Sequence, residues 1–165
     1  MKLLIFSDSH GSTRGMREAL RRHADAEVIL FLGDGLGDLD RLEVGAGQCV
    51  LAVRGNCDLH SSWRGVSVPR RDTLSLCGHR ILFTHGDAFS VKYGTDALVA
   101  EAVACEADIV LFGHTHVPTE RYLTVGERSL WLFNPGTVGY GGRACTYGIL
   151  TLTEQTVLFS HGTVD

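Results

Sequence analysis

Short, unbroken apolar runs recur along the chain, each ending in a polar, glycine-bearing segment. Positions 2–6, 28–32, 49–53 and 109–112 are almost wholly apolar. Runs this short without alternation predict strands of a sheet covered on both faces. Between the first two runs, Ser12 or Thr13 can cap a helix reaching about His23, with Met16, Ala19 and Leu20 as its apolar stripe. Residues 35–40 read as a loop, with a short helix over 38–44. A second helix is predicted over 95–105, with Leu98, Ala102 and Cys105 on one face. Three hairpins complete the pattern. Segments 73–76 and 80–84 flank Cys77, Gly78 and His79; segments 120–125 and 129–133 flank Gly126-Glu127; and 146–152 pairs with 156–161. The order, β/α first and mostly β afterwards, predicts an α/β fold of two packed sheets with helices outside. No linker, repeat or low-complexity segment interrupts it, so a single domain is expected over 1–165.

The polar segments after these runs carry the chemistry. They read Ser-Asp-Ser-His-Gly at 7–11, Leu-Gly-Asp-Gly at 32–35, Arg-Gly-Asn-Cys-Asp at 54–58, Thr-His-Gly-Asp at 84–87 and Phe-Gly-His-Thr-His at 112–116. Taken singly each has an ordinary reading: Asp8 as a cap, Gly33-Asp34 and Gly55-Asn56 as turns, and the histidines as surface residues. Together they place Asp8, His10, Asp34, Asn56, His85, His114 and His116 at the ends of predicted strands. Oxygen and imidazole donors suit Mn, Fe, Co, Ni or Zn in an open, catalytic site. Seven donors exceed what one ion needs if it must also hold water and substrate. Two ions sharing a carboxylate fit the count, and paired ions about 3.5–4 Å apart serve in-line displacement at phosphorus. If the backbone is extended, Asp8 and His10 point the same way and reach one ion, as do His114 and His116 toward one centre. Asp34, between glycines, can bridge. Asn56 adds a neutral oxygen where a phosphate must bind and be oriented.

This combination resembles the calcineurin-like metallophosphoesterases. Asp8/His10, Gly33/Asp34, Gly55/Asn56/Asp58, His85 and Gly113/His114/His116 match its motifs, and Asn134-Pro135-Gly136-Thr137 followed by Arg143 resembles the end of the small YfcE-like branch. The resemblance implies a four-layer α/β/β/α sandwich of two mixed sheets flanked by helices. It implies one ion on Asp8, His10 and His116, a second on Asn56, His85 and His114, and Asp34 between them. A metal-bridging hydroxide would be the nucleophile, without a covalent enzyme intermediate. Many relatives carry a histidine that protonates the leaving group where this chain has Cys57. A thiol of reference pKa about 8.5 is a poor substitute for imidazolium, which favours activated phosphodiesters. The expectation is a metal-dependent phosphodiesterase, with Mn the first metal considered. The alternatives are a phosphomonoesterase or nuclease of the same fold, or a protein-binding scaffold related to the retromer subunit that shares it.

Composition narrows the partners. The 165 residues carry a net charge of −4, with acidic and basic residues interspersed, so no basic stripe for long nucleic acid is expected. A small phosphoester substrate is expected instead, in an open site without a cap domain; homo-oligomers stay open. The amino-terminal apolar run is too short for a secretory signal, and no run approaches the roughly 18 residues of a membrane helix. A cytoplasmic location is expected. Five cysteines without a C-x-x-C pair read as reduced thiols. Cys49, Cys77, Cys105 and Cys145 read as small buried hydrophobes.

Other residues receive lesser roles. Arg54 and Arg143 are candidate phosphate contacts; Asp58 is a candidate substrate-binding residue that can alternatively orient a histidine or cap a turn. Asp87 shares those two readings, and His60 could touch substrate. Tyr140 could border the pocket. His23 reads as a helix-end residue, His79 as a turn residue and His161 as a strand or tail residue. Trp63 and Trp131 read as packing residues. Arg21-Arg22 and Arg70-Arg71 read as solvated surface.

Overall fold

The computed structural model describes residues 1–58, 62–139 and 144–164. His60, Tyr140 and Arg143 lie outside the described residues. The chain runs β1 (Lys2–Phe6), α1 (Arg14–Arg22), β2 (Val28–Phe31) and β3 (Cys49–Ala52), with a 3-10 segment over Leu36–Arg41 between the last two. A small hairpin follows, β4 (Ser62–Trp63) and β5 (Val66–Ser67). Then come β6 (Arg71–Leu76), β7 (His79–Thr84), α2 (Asp96–Ala104) and β8 (Ile109–Phe112), before β9 (Thr119–Val125), β10 (Arg128–Asn134), β11 (Cys145–Leu152) and β12 (Val157–Val164).

Two five-stranded sheets form, ordered β12-β11-β1-β2-β3 and β6-β7-β8-β10-β9. Both are mixed. In the first, β1, β2 and β3 are parallel neighbours, β11 pairs antiparallel with β1, and β12 pairs antiparallel with β11. In the second, β7, β8 and β10 are parallel, with β6 and β9 antiparallel at the edges. Strand alternation sorts the apolar runs into layers. Leu4 and Phe6 turn toward Met16, Ala19 and Leu20 of α1. Leu3 and Ile5 turn inward to meet Ile81, Phe83, Ile109, Leu111 and Phe133 of the other sheet. Leu82, Val110 and Leu132 face outward to Leu98 and Ala102 of α2. Three apolar layers thus bind four layers of structure, as expected. Burying a side chain such as Phe133, fully inaccessible between the sheets, contributes about 1.5–3 kcal/mol.

Several expectations need correction. The 3-10 segment begins earlier than the 38–44 helix expected. Thr13 and Thr95 occupy the N-cap positions of α1 and α2, yet neither caps through its side chain. β3 is an edge strand whose residues are exposed or only partly buried, so it lacks the full cover expected, and Cys49 is exposed. The turn between β6 and β7 is Cys77-Gly78, both with positive φ (50° and 81°), the geometry that two-residue hairpin loops favour. Cys77 is therefore a turn residue, and His79 belongs to β7. There its Nδ1 lies 2.5 Å from Asp108. Cys77, Cys105 and Cys145 are only partly buried, and all five cysteines are free. The arginine pairs are ion-paired: Arg21 and Arg22 with Glu18, Arg70 with Asp87, and Arg71 with Glu101. Among the described residues no helix is long and apolar enough to cross a membrane.

Candidate metal centre

Every proposed donor follows the carboxyl end of a parallel strand, where open α/β sheets bind ligands. Asp8 and His10 follow β1, Asp34 follows β2, Asn56 follows β3, His85 follows β7, and His114 and His116 follow β8. The two sheets bring these ends to one rim, and backbone hydrogen bonds stitch neighbouring loops. Asp8 N–H donates to Gly33 O at 2.9 Å, His10 N–H to Asp34 O at 3.2 Å, and Gly113 N–H to His85 O at 2.9 Å.

The backbone that aims these side chains is left-handed, not extended. Asp8, His10, Asp34, His114 and His116 have φ between 44° and 67°. The expected i, i+2 strand alternation is therefore not what brings Asp8 to His10 or sets His114 and His116. Among the described residues nine non-glycine positions have positive φ, and five of them are these donors. Strained backbone of this kind persists where surrounding structure over-determines it. Gly55 permits a close approach of the β2 and β3 loops. A Cβ there would strike the Asp34 carboxylate and its backbone nitrogen.

The donors form two mixed groups. Asp8, His10 and His116 offer atoms all within 4.8 Å of one another, and so do Asp34, His85 and His114. In the first, His116 Nε2 stands 3.1 Å from Asp8 Oδ1 and 3.4 Å from His10 Nε2. In the second, His85 Nε2 is 3.4 Å from Asp34 Oδ2 and 3.1 Å from His114 Nδ1. His85 Nδ1 lies 2.8 Å from the Leu32 carbonyl. A carbonyl only accepts, so Nδ1 carries a proton, and Nε2 is the nitrogen left facing Asp34 and His114. Two pairs of ring nitrogens converging beside buried carboxylates form an arrangement that a divalent cation satisfies and that neutral imidazoles alone leave poorly paired. The residues present therefore fit a metal centre. The groups differ in access: His85 is fully buried, whereas the His10 and His116 side chains are 39% and 44% exposed.

Electrostatics follow from this packing. Burial alone would raise the Asp34 carboxyl, but His85 and the Cys57 N–H outweigh it and hold Asp34 far below the usual carboxylate range. Burial also opposes charge on His85, yet Asp34 and Asp8 win and raise its pKa. His114 is lowered, by burial first and then by the charges of His85 and Lys92. The Cys57 thiol is pushed up, first by burial and then by Asp34.

Of the readings given to Asp58, the cap of a turn is the nearest to what it does. Its carboxylate accepts from the backbone N–H groups of Asp34, Gly35, Leu36 and Gly55, each at 2.8 Å. With both oxygens so engaged, Asp58 ties the β2 and β3 loops together. Asp87 likewise faces Arg70. Arg54 is partly exposed and forms no ion pair among the described residues. His23 meets the Tyr147 hydroxyl at 3.0 Å, and His161 Nε2 meets Asn134 O at 2.8 Å. Trp63 donates to Asp40, and Trp131 packs between Tyr122 and Phe159.

Sequence reasoning missed the residues that hold the donors. Ser7 Oγ donates to Asp8 Oδ2 at 2.6 Å, and Ser9 Oγ to Asp38 Oδ2 at 2.5 Å. Asp38 also accepts from Gly11 N–H and pairs with Arg41. Fully buried Asn134 donates to Gly113 O at 2.8 Å, and Thr137 Oγ1 donates to Asp8 O at 2.8 Å. The Asn134–Thr137 motif was visible in the sequence; its function as a brace between the Asp8 and His114 loops was not.

Known proteins resemble the chain over most of its length. The chain is 32% identical over 175 aligned positions to the phosphodiesterase YfcE of Escherichia coli K12, covering 91% of this chain and 87% of that protein. It is 30% identical over 157 positions to the probable metallophosphoesterase YsnB of Bacillus subtilis, covering 94% and 86%. Among solved structures, a variant of Vps29 from Entamoeba histolytica superposes with a TM-score of 0.74 at 19% identity over the whole of both chains, a likeness of fold alone. Residues 1–156 match the calcineurin-like phosphoesterase superfamily domain, and the chain belongs to that family.

Proposed function

We propose that this metallophosphoesterase is a phosphodiesterase working through two divalent ions. Asp8, His10 and His116 would hold one ion, Asn56, His85 and His114 the other, with Asp34 shared. One observation carries the reading: Asp34 belongs at once to a donor group with His85 and His114 and to one with His10 and Cys57. When bound, paired ions supply Lewis acidity and an activated hydroxide for in-line attack at phosphorus. The chain's own residues do the rest. Asp34 and Asp8 offset the cationic charge, the Nδ1 bond of His85 fixes its ring, and Asn56 orients the phosphoryl group. Arg54 stands near enough in the chain to Asn56 to offer a guanidinium to the ester.

Diester preference rests on Cys57, which holds the place where relatives carry a histidine. Without an imidazolium there, leaving groups that need a proton react slowly, since general acid catalysis is worth about 10²–10⁴-fold. Mn is the first metal to test, ahead of Fe, Zn, Co and Ni. The exposed His10–His116 side of the centre suits a small phosphoester, and the free thiols suit a reducing, cytoplasmic setting. The likeness to Vps29 keeps a scaffold as the second reading, and the complete donor set weighs against it.

The test is a parallel screen of phosphomonoesters, phosphodiesters and cyclic nucleotides with metal-replete protein, before and after chelation. The expected outcome is hydrolysis of activated diesters that chelation abolishes and Mn restores. Turnover that survives exhaustive chelation sinks the mechanism. Absence of any turnover with metals bound favours the scaffold.

A further inference from the structure

A third donor group lies beside the first two. His10, Asp34 and Cys57 each offer one atom, and those atoms fall within 4.8 Å of one another. They come from the loops after β1, β2 and β3, so their convergence is tertiary rather than local in sequence. The sulfur is held in place. Cys57 N–H donates to Asp34 Oδ1 at 2.7 Å, and Asn56 Nδ2 donates to Cys57 Sγ at 3.2 Å. Among the described residues no other cysteine belongs to such a group. Donors on one tetrahedral zinc, with bonds of about 2.3 Å to sulfur and 2.0–2.1 Å to nitrogen, stand roughly 3.5 Å apart. Small side-chain rotations of exposed His10 and Cys57 close the remaining gap.

We propose that Cys57 is a facultative metal ligand, its sulfur joining His10 and Asp34 on a thiophilic divalent ion such as Zn or Co and staying unligated when the centre holds Mn. The proposal rests on the two-ion reading above. Its basis is donor softness: thiolate prefers Zn and related ions, whereas the oxygen-rich remainder of the set accepts Mn. On ligation the thiol gives its proton to solvent as the metal–sulfur bond forms. The sulfur then fills a position that a catalytic ion keeps open for water and substrate. Cys57 thereby becomes a specificity device for the metal, favouring zinc binding while making the zinc form the slower one.

Cobalt reports the bond directly. Wild-type protein, Cys57→Ser, Cys57→Ala and Cys49→Ser are each loaded with two equivalents of Co(II). Near-ultraviolet absorption is recorded, and uptake is measured by equilibrium dialysis. A thiolate-to-cobalt charge-transfer band is expected in the wild type and in Cys49→Ser, and is expected to be lost in both Cys57 variants while they still take up cobalt. Zinc affinity, measured by competition with a chromophoric chelator, should fall about 10-fold or more in the Cys57 variants, and Mn affinity should move by less than about twofold. Cobalt bound by the wild type without the band overturns the proposal, and so does a band that persists in both Cys57 variants. A wild-type protein that takes up no cobalt at all marks a different failure, because it removes the metal centre itself.

Discussion

The two sheets contribute unlike chemistry to one rim. The first, through β1, β2 and β3, supplies Asp8, Asp34, Asn56 and a single imidazole, His10. The second, through β7 and β8, supplies only imidazoles: His85, His114 and His116. Each of the two main donor groups takes members from both sheets, whereas the group containing Cys57 is drawn from the first sheet alone. A centre that needs both sheets is a property of their packing, not of either set of loops. Its affinity is therefore coupled to the apolar layer between them, because anything that binds only the assembled rim stabilises the packed state.

Breaking the shared donor should have the largest effect. Asp34→Asn removes the one carboxylate common to two groups. We expect about one ion per chain instead of two, and turnover on an activated diester reduced by about 100-fold or more, beyond what losses outside the ligand sphere cost. Elemental analysis with a rate measurement checks both, and two ions retained at full rate would break the comparison. Removing second-sheet imidazoles comes next. His85→Ala and His114→Ala should each cut turnover by about 10-fold or more and weaken metal binding, as read by titration calorimetry.

The coupling itself can be sharpened away from any donor. Phe133 is fully buried between the sheets. Phe133→Ala should cost about 3–5 kcal/mol of stability and weaken metal affinity as well. Denaturant unfolding with and without metal separates the two effects, since a ligand at 100 times its Kd adds about 2.7 kcal/mol to an intact site. Unchanged affinity in the surviving folded protein would show the sheets to be independent supports. Within the first sheet, Cys57→His should raise rates on poor leaving groups more than on nitrophenolates, by about tenfold where the new imidazole recovers only part of the roughly 10²–10⁴-fold worth of a positioned general acid. A leaving-group series measures the change in slope.

The smallest expected effect lies away from the rim, at the end of α1. Burial, followed by the charge of Lys2, lowers the His23 pKa. The fold therefore prefers neutral His23, and its contribution is intact above the unfolded value of about 6.5 and is lost as pH falls from there toward the folded value. Metal-free His23→Gln should lose less melting temperature than metal-free wild type between pH 7.5 and pH 5, with a difference of the order of 1 °C. An identical slope would locate the acid sensitivity elsewhere.

Much of the frame was legible because it depends on short apolar runs. β2 and β8 are such runs, and their burial follows directly from having no polar position to expose. The convergence of Asp8, His10, Asp34, His85, His114 and His116 was legible because five such segments at strand ends point to one place together, although each alone reads as an ordinary cap, turn or surface residue. Their geometry was not. Left-handed backbone at Asp8 or His114 depends on hydrogen bonds to loops distant in sequence, such as Gly139 N–H to Asp8 O. Asp58 read as a substrate contact or cap because nothing in Gly-Asn-Cys-Asp announces that four backbone amides will converge on its carboxylate. Ser7, Asp38 and Thr137 look like any polar loop residue until the fold sets them against a donor. The β4–β5 hairpin was missed because strands of two residues carry no readable periodicity.

The left-handed donors also bear on how this rim tolerates substitution. Glycine, asparagine, aspartate and histidine are the residues most at ease at positive φ, and several of them are also metal ligands. At Asp8, His10, Asp34, His114 and His116 the demands of loop shape and of coordination select overlapping alphabets. An exchange within that alphabet, such as His114→Asn, can remove a ligand while leaving the loop's curvature intact, whereas alanine at the same position loses both. The rim can therefore change its chemistry and keep its form. Alanine scanning will overstate the catalytic weight of these five positions, and asparagine or glycine replacements divide the shape from the reaction more cleanly.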